Sequence, residues 1–558
     1  MKKVFVSAFI AMAMFVANNV VAQVSHGGEP LFNSSKVKAG VPELNHPGID
    51  NQRFLDEDLN AVKGAGPMRI GVMQDTRLDI VGESKTVKDA NGTHYLMAVE
   101  SENATFMSLH FSQFELPEGA TLFFYDQSGD FVLGSFNGSD VMDDGTFYTQ
   151  AIPGSRVFVE YNVPAGQEPG SLVIDRICHG YKDIFVSIAS NYEAIEESLK
   201  GGHGQAEGDC HINVVCDEGD DWRDQIRSVV AIEIVAGGYS YMCSGAVINN
   251  ARQDKTPYVL SAFHCQDLEG TIQGFTSYFL YQTSSCNGTV GPGNKSVTGA
   301  DIKAKYSYNG GSDFLLLKLR QAIPDAYKPF YAGWDKSNIA PTAGACIHHP
   351  GGDYKKISIP KSVTKGTGSY SKFLITNWYT GAQNKGVTEQ GSSGSPLFNA
   401  DKRIIGQLYA GSSACDYMNG QDLYGRVYSS WNGQGTEATA LKFWLDPDDT
   451  GINNLDGINY DYDPNAAIVT PEEAISNRNA CNLQVYPNPS NGTVHFDVDA
   501  LGSANYKLFD LSGRCVKEGS TVLTATSQAI DLGRQPQGSY VLQLHTSSRT
   551  FTGIVIIK

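Results

Sequence analysis

Seven of the ten cysteines fall between Cys210 and Cys415, and an export signal stands at the start of the same chain. "MKK" supplies a positive end, "VFVSAFIAMAMFV" an apolar stretch, and "VVAQ" a small-residue cleavage site after Ala22. In an exported chain, crowded cysteines read as disulfide candidates, so residues 201–460 are expected to form one stapled domain. At 558 residues the chain is too long for a single hydrophobic core. Past residues 1–22, no apolar run approaches the roughly 18 to 20 residues that span a bilayer. A formal net charge of −18 argues against nucleic acid as a partner, because binding phosphate needs a basic face.

The remainder reads as all-β dominated. Residues 23–200 contain alternating stretches such as "ATLFFYDQSGDFVLGSF" and "RVFVEYNV", punctuated by Gly, Pro and Asn. "NYEAIEESLKGGHGQAEGDC" then turns glycine-rich and looks exposed, which suits a processing linker. A polar connector over 461–480 leads to residues 481–558, where short alternating strands suggest a small Ig-like β-sandwich.

Three positions carry chemistry. "GSSGSP" offers a serine in a tight glycine-flanked turn, but a neutral hydroxyl is a poor nucleophile and needs a base and something to orient it. His264 follows an apolar strand in "TPYVLSAFHCQ", beside Cys265. Asp313 enters the apolar run "FLLLKL", where a buried carboxylate is costly unless hydrogen-bonded or paired. The order His264, Asp313, Ser393, with gaps of 49 and 80 residues, is that of the chymotrypsin-like serine proteases, not the subtilisins or α/β-hydrolases. Ser395 stands where an α/β-hydrolase elbow needs glycine, and "HHP" at His348–His349 lacks the spacing of a helical zinc pair. The spaced acids of "DPDDTG" read as an Asp-Pro turn rather than a calcium site.

In order, "CHINVVCDEGDDWRDQIRSVVAI", "CSGAVINNARQDKTPYVLSAFHC", "GSDFLLLKL", "IHHPGGDYKKIS", "TEQGSSGSPLF", "IIGQLYAG" and "QDLYGRVYSSW" resemble successive blocks of the lysyl endopeptidases, secreted bacterial members of the chymotrypsin-like class. "YPNPSNG" and "GSYVLQL" resemble the C-terminal sorting domains of proteins exported by the type IX system of Bacteroidetes, and residues 23–200 resemble protease propeptides.

The resemblance implies a chymotrypsin-like double β-barrel in which Ser393 is the nucleophile, His264 the general acid–base and Asp313 its orienting partner. The N–H groups of Gly391 and Ser393 would form the oxyanion hole. Asp422 would lie at the base of a lysine pocket, Tyr409 stands where relatives have histidine, and Trp378 matches a tryptophan packed near the catalytic histidine. The implied disulfides are Cys210–Cys415, Cys216–Cys286 and Cys243–Cys265, with Cys178, Cys346, Cys481 and Cys515 left open. Many relatives in the wider class carry Asp before the nucleophile to receive the freed N-terminus; Ser392 stands there, so that switch is expected to be absent. Lys200 is the expected self-processing site, giving a monomeric enzyme needing no cofactor or metal. It would leave a Gram-negative cell through the periplasm and the type IX machinery, to be released or held at the surface. Its partners would be peptides with lysine before the scissile bond. Cleavage after Arg, or after both basic residues, and a non-catalytic binding protein on the same fold are the alternatives.

Overall fold

The computed structural model describes residues 25–185, 210–462 and 481–558, apart from the short stretches 34–37, 39, 61–65, 143, 289–292, 484, 497, 499–501, 511–514, 524–527 and 547–549. Ala22, Lys200 and nearly all of the 461–480 connector lie outside the described residues. Two compact units divide at Tyr462 and Asp463.

In the first unit, the N-terminal region contributes β1 (Met68–Asp79), β2 (Phe106–Phe114) and β3 (Leu172–Gly180), with β3 paired antiparallel to both β1 and β2. Beside them a separate six-stranded sheet is centred on Gly92–Ser101 and Arg156–Pro164. Large apolar side chains between the sheets, among them Phe106, Phe111, Phe124 and Phe147, form their common core.

The next barrel is built from β4 (Val229–Ala236), β5 (Tyr239–Ile248), β6 (Tyr258–Ala262), β7 (Ile272–Tyr278), β8 (Ser296–Thr298), β9 (Ala300–Tyr306) and β10 (Phe314–Leu319). Hydrogen bonding connects them in the order β8, β7, β4, β5, β6, β10, β9. Every residue of β4 is buried, and its sequence "VVAIEIVA" shows why it is almost continuously apolar. Val230, Ile232 and Ile234 fill the barrel, while Ala231 joins the core of the N-terminal region. Glu233 is the polar exception: it is buried and accepts from Ser240 Oγ at 2.8 Å and Tyr278 at 2.5 Å.

The N-terminal region is joined to this barrel by strand pairing. β1 runs antiparallel to the start of β5, with Met68 opposite Met242 and Val72 opposite Tyr239. Further along, the same edge of β5 pairs with β6 through Ala246–Ile248. Between these two partners, Ser244 N–H donates to the Ser393 carbonyl at 2.8 Å.

A second barrel-like sheet comprises β11 (Gly344–His348), β12 (Lys356–Ser358), β13 (Pro360–Lys365), β14 (Phe373–Trp378), β15 (Pro396–Asn399), β16 (Ile404–Gly411) and β17 (Gln421–Arg426). Its order is β12, β11, β15, β16, β17, β14, β13, extended beyond β12 by Ile212–Asn213. The second unit has a five-stranded and a three-stranded sheet over a core including Val494, Phe496, Leu508, Leu542 and Val555, the expected β-sandwich.

Candidate active site

β6 ends in a short turn, Phe263–Cys265, that carries His264. The Cys243–Cys265 disulfide ties this turn to β5. Asp313 immediately precedes β10, which pairs with β6, so adjacent strands deliver the two side chains. Asp313 holds φ at +59°, a left-handed conformation that Asp tolerates better than most residues. Its carbonyl accepts from Phe263 N–H at 2.8 Å, while its fully buried carboxylate accepts from His264 twice. The backbone N–H reaches Oδ1 at 3.1 Å, and ring Nδ1 lies 2.7 Å from Oδ2. Burial pushes the Asp313 carboxyl up, and the imidazole and both hydrogen bonds pull it back. With Nδ1 committed to Asp313, Nε2 is the ring nitrogen with no hydrogen-bond partner among the described residues.

Ser393 precedes β15 on the other barrel and is half-buried. No hydrogen bond joins its Oγ to His264 among the described residues; such contacts are often long in a substrate-free site. The surrounding loop is held firmly. Gly391 has φ of +91°, and a Cβ there would stand 2.8 Å from His349 O and 2.9 Å from Gly352 N, so no other residue fits without displacing backbone. Gly391 O accepts from Ser244 Oγ at 3.0 Å. The N–H groups of Gly391 and Ser393 have no acceptor among the described residues, leaving two free donors beside the serine.

Ser392 is fully buried and meets His348 Nδ1 at 2.7 Å, while His348 Nε2 meets Ser358 Oγ at 2.9 Å. Complete burial holds that imidazole far below its usual titration range. Glu389, three residues earlier, accepts from Cys415 N–H at 3.0 Å, and its other oxygen lies 3.1 Å from His211 Nε2. The segment following the processing linker thus reaches the serine loop through a side chain, anchored by Cys210–Cys415.

Asp422 lies in β17 opposite Gly411 of β16 and is fully buried. Its Oδ2 accepts from Trp378 Nε1, Thr388 Oγ1 and Ser413 Oγ, each at 2.6 Å, and Oδ1 accepts from Ser413 N–H at 3.3 Å. Burial pushes this carboxyl up and those donors draw it down.

Trp378 departs from the expectation of a tryptophan beside His264. It is buried with Val363, Leu374 and Leu408, and its indole N–H serves Asp422, because β14 pairs directly with β17. The ring against His264 belongs to Tyr409, edge-on at 6.1 Å between centroids, and it packs against Tyr308 and Phe373, each at 5.1 Å. Burial first, then the Asp313 charge, pushes the Tyr409 hydroxyl up to about 12. Thr388, Ser413, His348 and Glu389 escaped the sequence reading. The signal for the first two was the need of any buried pocket acid for hydroxyl donors nearby.

All three implied disulfides are formed: Cys210–Cys415, Cys216–Cys286 and Cys243–Cys265. Cys178 and Cys346 are free and buried, and Cys515 is free and exposed.

A histidine–aspartate pair on one barrel facing a serine loop on the next is the architecture of the chymotrypsin-like serine proteases. Residues 204–425 match the lysyl endopeptidase C-terminal domain family, and residues 484–558 match the secretion system C-terminal sorting domain. The lysyl endopeptidase of Pseudomonas aeruginosa PAO1 is 30% identical over 295 residues, 50% of this chain. That match spans 60% of the relative's own length. Similar solved structures include the thermostable serine protease AL20 from an extremophilic microorganism (12% identity, 36% of this chain and 91% of that one, TM-score 0.27). Another is the protease Anisep from Arthrobacter nicotinovorans (14% identity, 36% and 91%, TM-score 0.28). The sorting domain marks the chain for export, and among the described residues no helix is long and apolar enough to cross a membrane.

Proposed function

We propose that this chain is a serine endopeptidase, made as a proenzyme, that cleaves on the carboxyl side of lysine. The observation that carries the reading is His264 locked to buried Asp313 beside a serine loop with two free N–H donors. Ser393 Oγ attacks the carbonyl carbon and His264 Nε2 takes its proton. Asp313 holds the tautomer and stabilises the imidazolium; the Gly391 and Ser393 N–H groups receive the oxyanion. His264 then protonates the leaving amine, and water resolves the acyl-enzyme by the reverse roles. Asp422 would attract the lysine ammonium.

The proenzyme reading rests on β1. Its Met68–Val72 segment lies along β5 up to Met242, two residues before the Ser244 that binds Ser393 and Gly391. Ile184 also packs against Gly352, whose N–H borders Gly391. Removing the N-terminal region at Lys200 would free this side of the cleft. The domain limits 23–200 and 201–460, and delivery through the type IX machinery, belong to the same proposal.

Kinetics of the secreted protein on peptides ending in Lys, Arg or a neutral residue before the scissile bond test it, with Ser393→Ala as the control. Turnover of lysine peptides, lost in Ser393→Ala, is expected; a wild-type protein that cuts none of them would favour the non-catalytic binding protein. N-terminal sequencing of the secreted form should start at Gly201. If Ser393→Ala still matures in a protease-free host, self-cleavage is ruled out.

A further inference from the structure

The three donors on Asp422 fall on one oxygen. A carboxylate has about four lone-pair sites over two oxygens. Trp378 Nε1, Thr388 Oγ1 and Ser413 Oγ crowd onto Oδ2 at 2.6 Å each, so that oxygen has no room for a further donor. Oδ1 carries only the longer 3.3 Å contact from Ser413 N–H. Oδ1 packs directly over Gly411, across the ladder, where a Cβ would stand 1.8 Å from it.

A carboxylate presented in this way is a single acceptor. An ammonium is a compact charge that needs one oxygen, whereas a guanidinium gains most from a fork across both. We propose that Trp378 and Thr388, by occupying Oδ2 together with Ser413, are positioning residues that make the pocket select lysine over arginine. This rests on Asp422 being the pocket acid of the function proposed above. Neither residue touches the substrate in this account. Each acts by denying arginine its second oxygen.

The test compares kcat/KM for two peptides identical except for Lys or Arg before the scissile bond, using the full secreted protein. Wild type should prefer Lys by about 100-fold or more. Trp378→Phe and Thr388→Val each remove one donor while keeping the bulk, and each should narrow that preference about tenfold, with Arg gaining relative to Lys. If either variant fails to fold, the other still decides. Wild type cutting Lys and Arg equally overturns the proposal. So do variants that lose rate on both peptides but hold the ratio within about twofold, as a purely structural role would. Lysine cleavage that survives unchanged in Asp422→Asn would instead sink the pocket assignment, and this inference with it.

Discussion

Asp313 and Asp422 are both fully buried carboxylates, one just before a strand of the first barrel and the other within a strand of the second, yet their surroundings differ in kind. Asp313 faces a titratable partner, His264, and receives two hydrogen bonds from it. Asp422 faces neutral donors from three residues and no cation among the described residues. A buried charge with a built-in partner is complete before substrate arrives. One held by neutral dipoles keeps electrostatic demand that an incoming cation can meet. The first arrangement suits chemistry common to all substrates, the second the selection of one.

This difference is easiest to break at the centre it depends on. Ser393→Ala should reduce kcat by about 10⁶-fold on every substrate, since the remaining groups have no nucleophile to activate. Measurable turnover at more than a hundredth of wild type would remove Ser393 from the mechanism. Asp313→Asn should follow at about 10⁴-fold, again independent of the residue before the scissile bond, because the imidazole loses its tautomer and its counter-charge. Asp422→Asn should act differently: kcat/KM for lysine peptides falls about 100-fold or more, while neutral peptides change little. A uniform loss across substrates in Asp422→Asn would erase the distinction drawn between the two acids.

A smaller effect tests the framework beneath the histidine. Replacing both Cys243 and Cys265 with Ser should cost about 2 to 4 kcal/mol of stability, read from denaturant unfolding in the Ser393→Ala background. Activity should fall further than stability alone explains, because the turn carrying His264 is clamped at its next residue.

How far the site could be read from sequence follows the same division. His264, Asp313 and Ser393 are legible because each stands at a strand boundary with a local signature, and their order along the chain names the class. The disulfides came with the family. Asp422 had no local signature, and its donors were scattered: Trp378 and Thr388 stand 44 and 34 residues away, so only β14–β17 pairing and the serine loop bring them together. Trp378 was misplaced for that reason. The pairing of β1 with β5 was likewise invisible, since alternation reveals a strand but not which edge it joins. Ser392 was read as a missing acid; its buried hydrogen-bond partner, His348, comes from β11 and carries no sequence cue pointing to it.

The two acids also leave separate marks on stability. Burial raises the Asp422 carboxyl above its unfolded value, so the folded state holds that proton more tightly than the unfolded chain does. Its contribution to stability is fully present below the unfolded carboxylate range, near about pH 4, and is lost as pH rises through the folded value. Asp422→Asn removes that titration, so its Tm should decline less than the parent's as pH is raised from about 4 toward neutrality, in the Ser393→Ala background. Asp313 is raised by burial too, but its substitution also disturbs the two hydrogen bonds that fix the His264 turn and ring. Asp313→Asn should therefore lose stability where Asp422→Asn gains it relative to the parent near neutrality. Parallel Tm–pH curves for the two variants would mean that the acids share one electrostatic environment, and the contrast between a partnered and a waiting charge would fail.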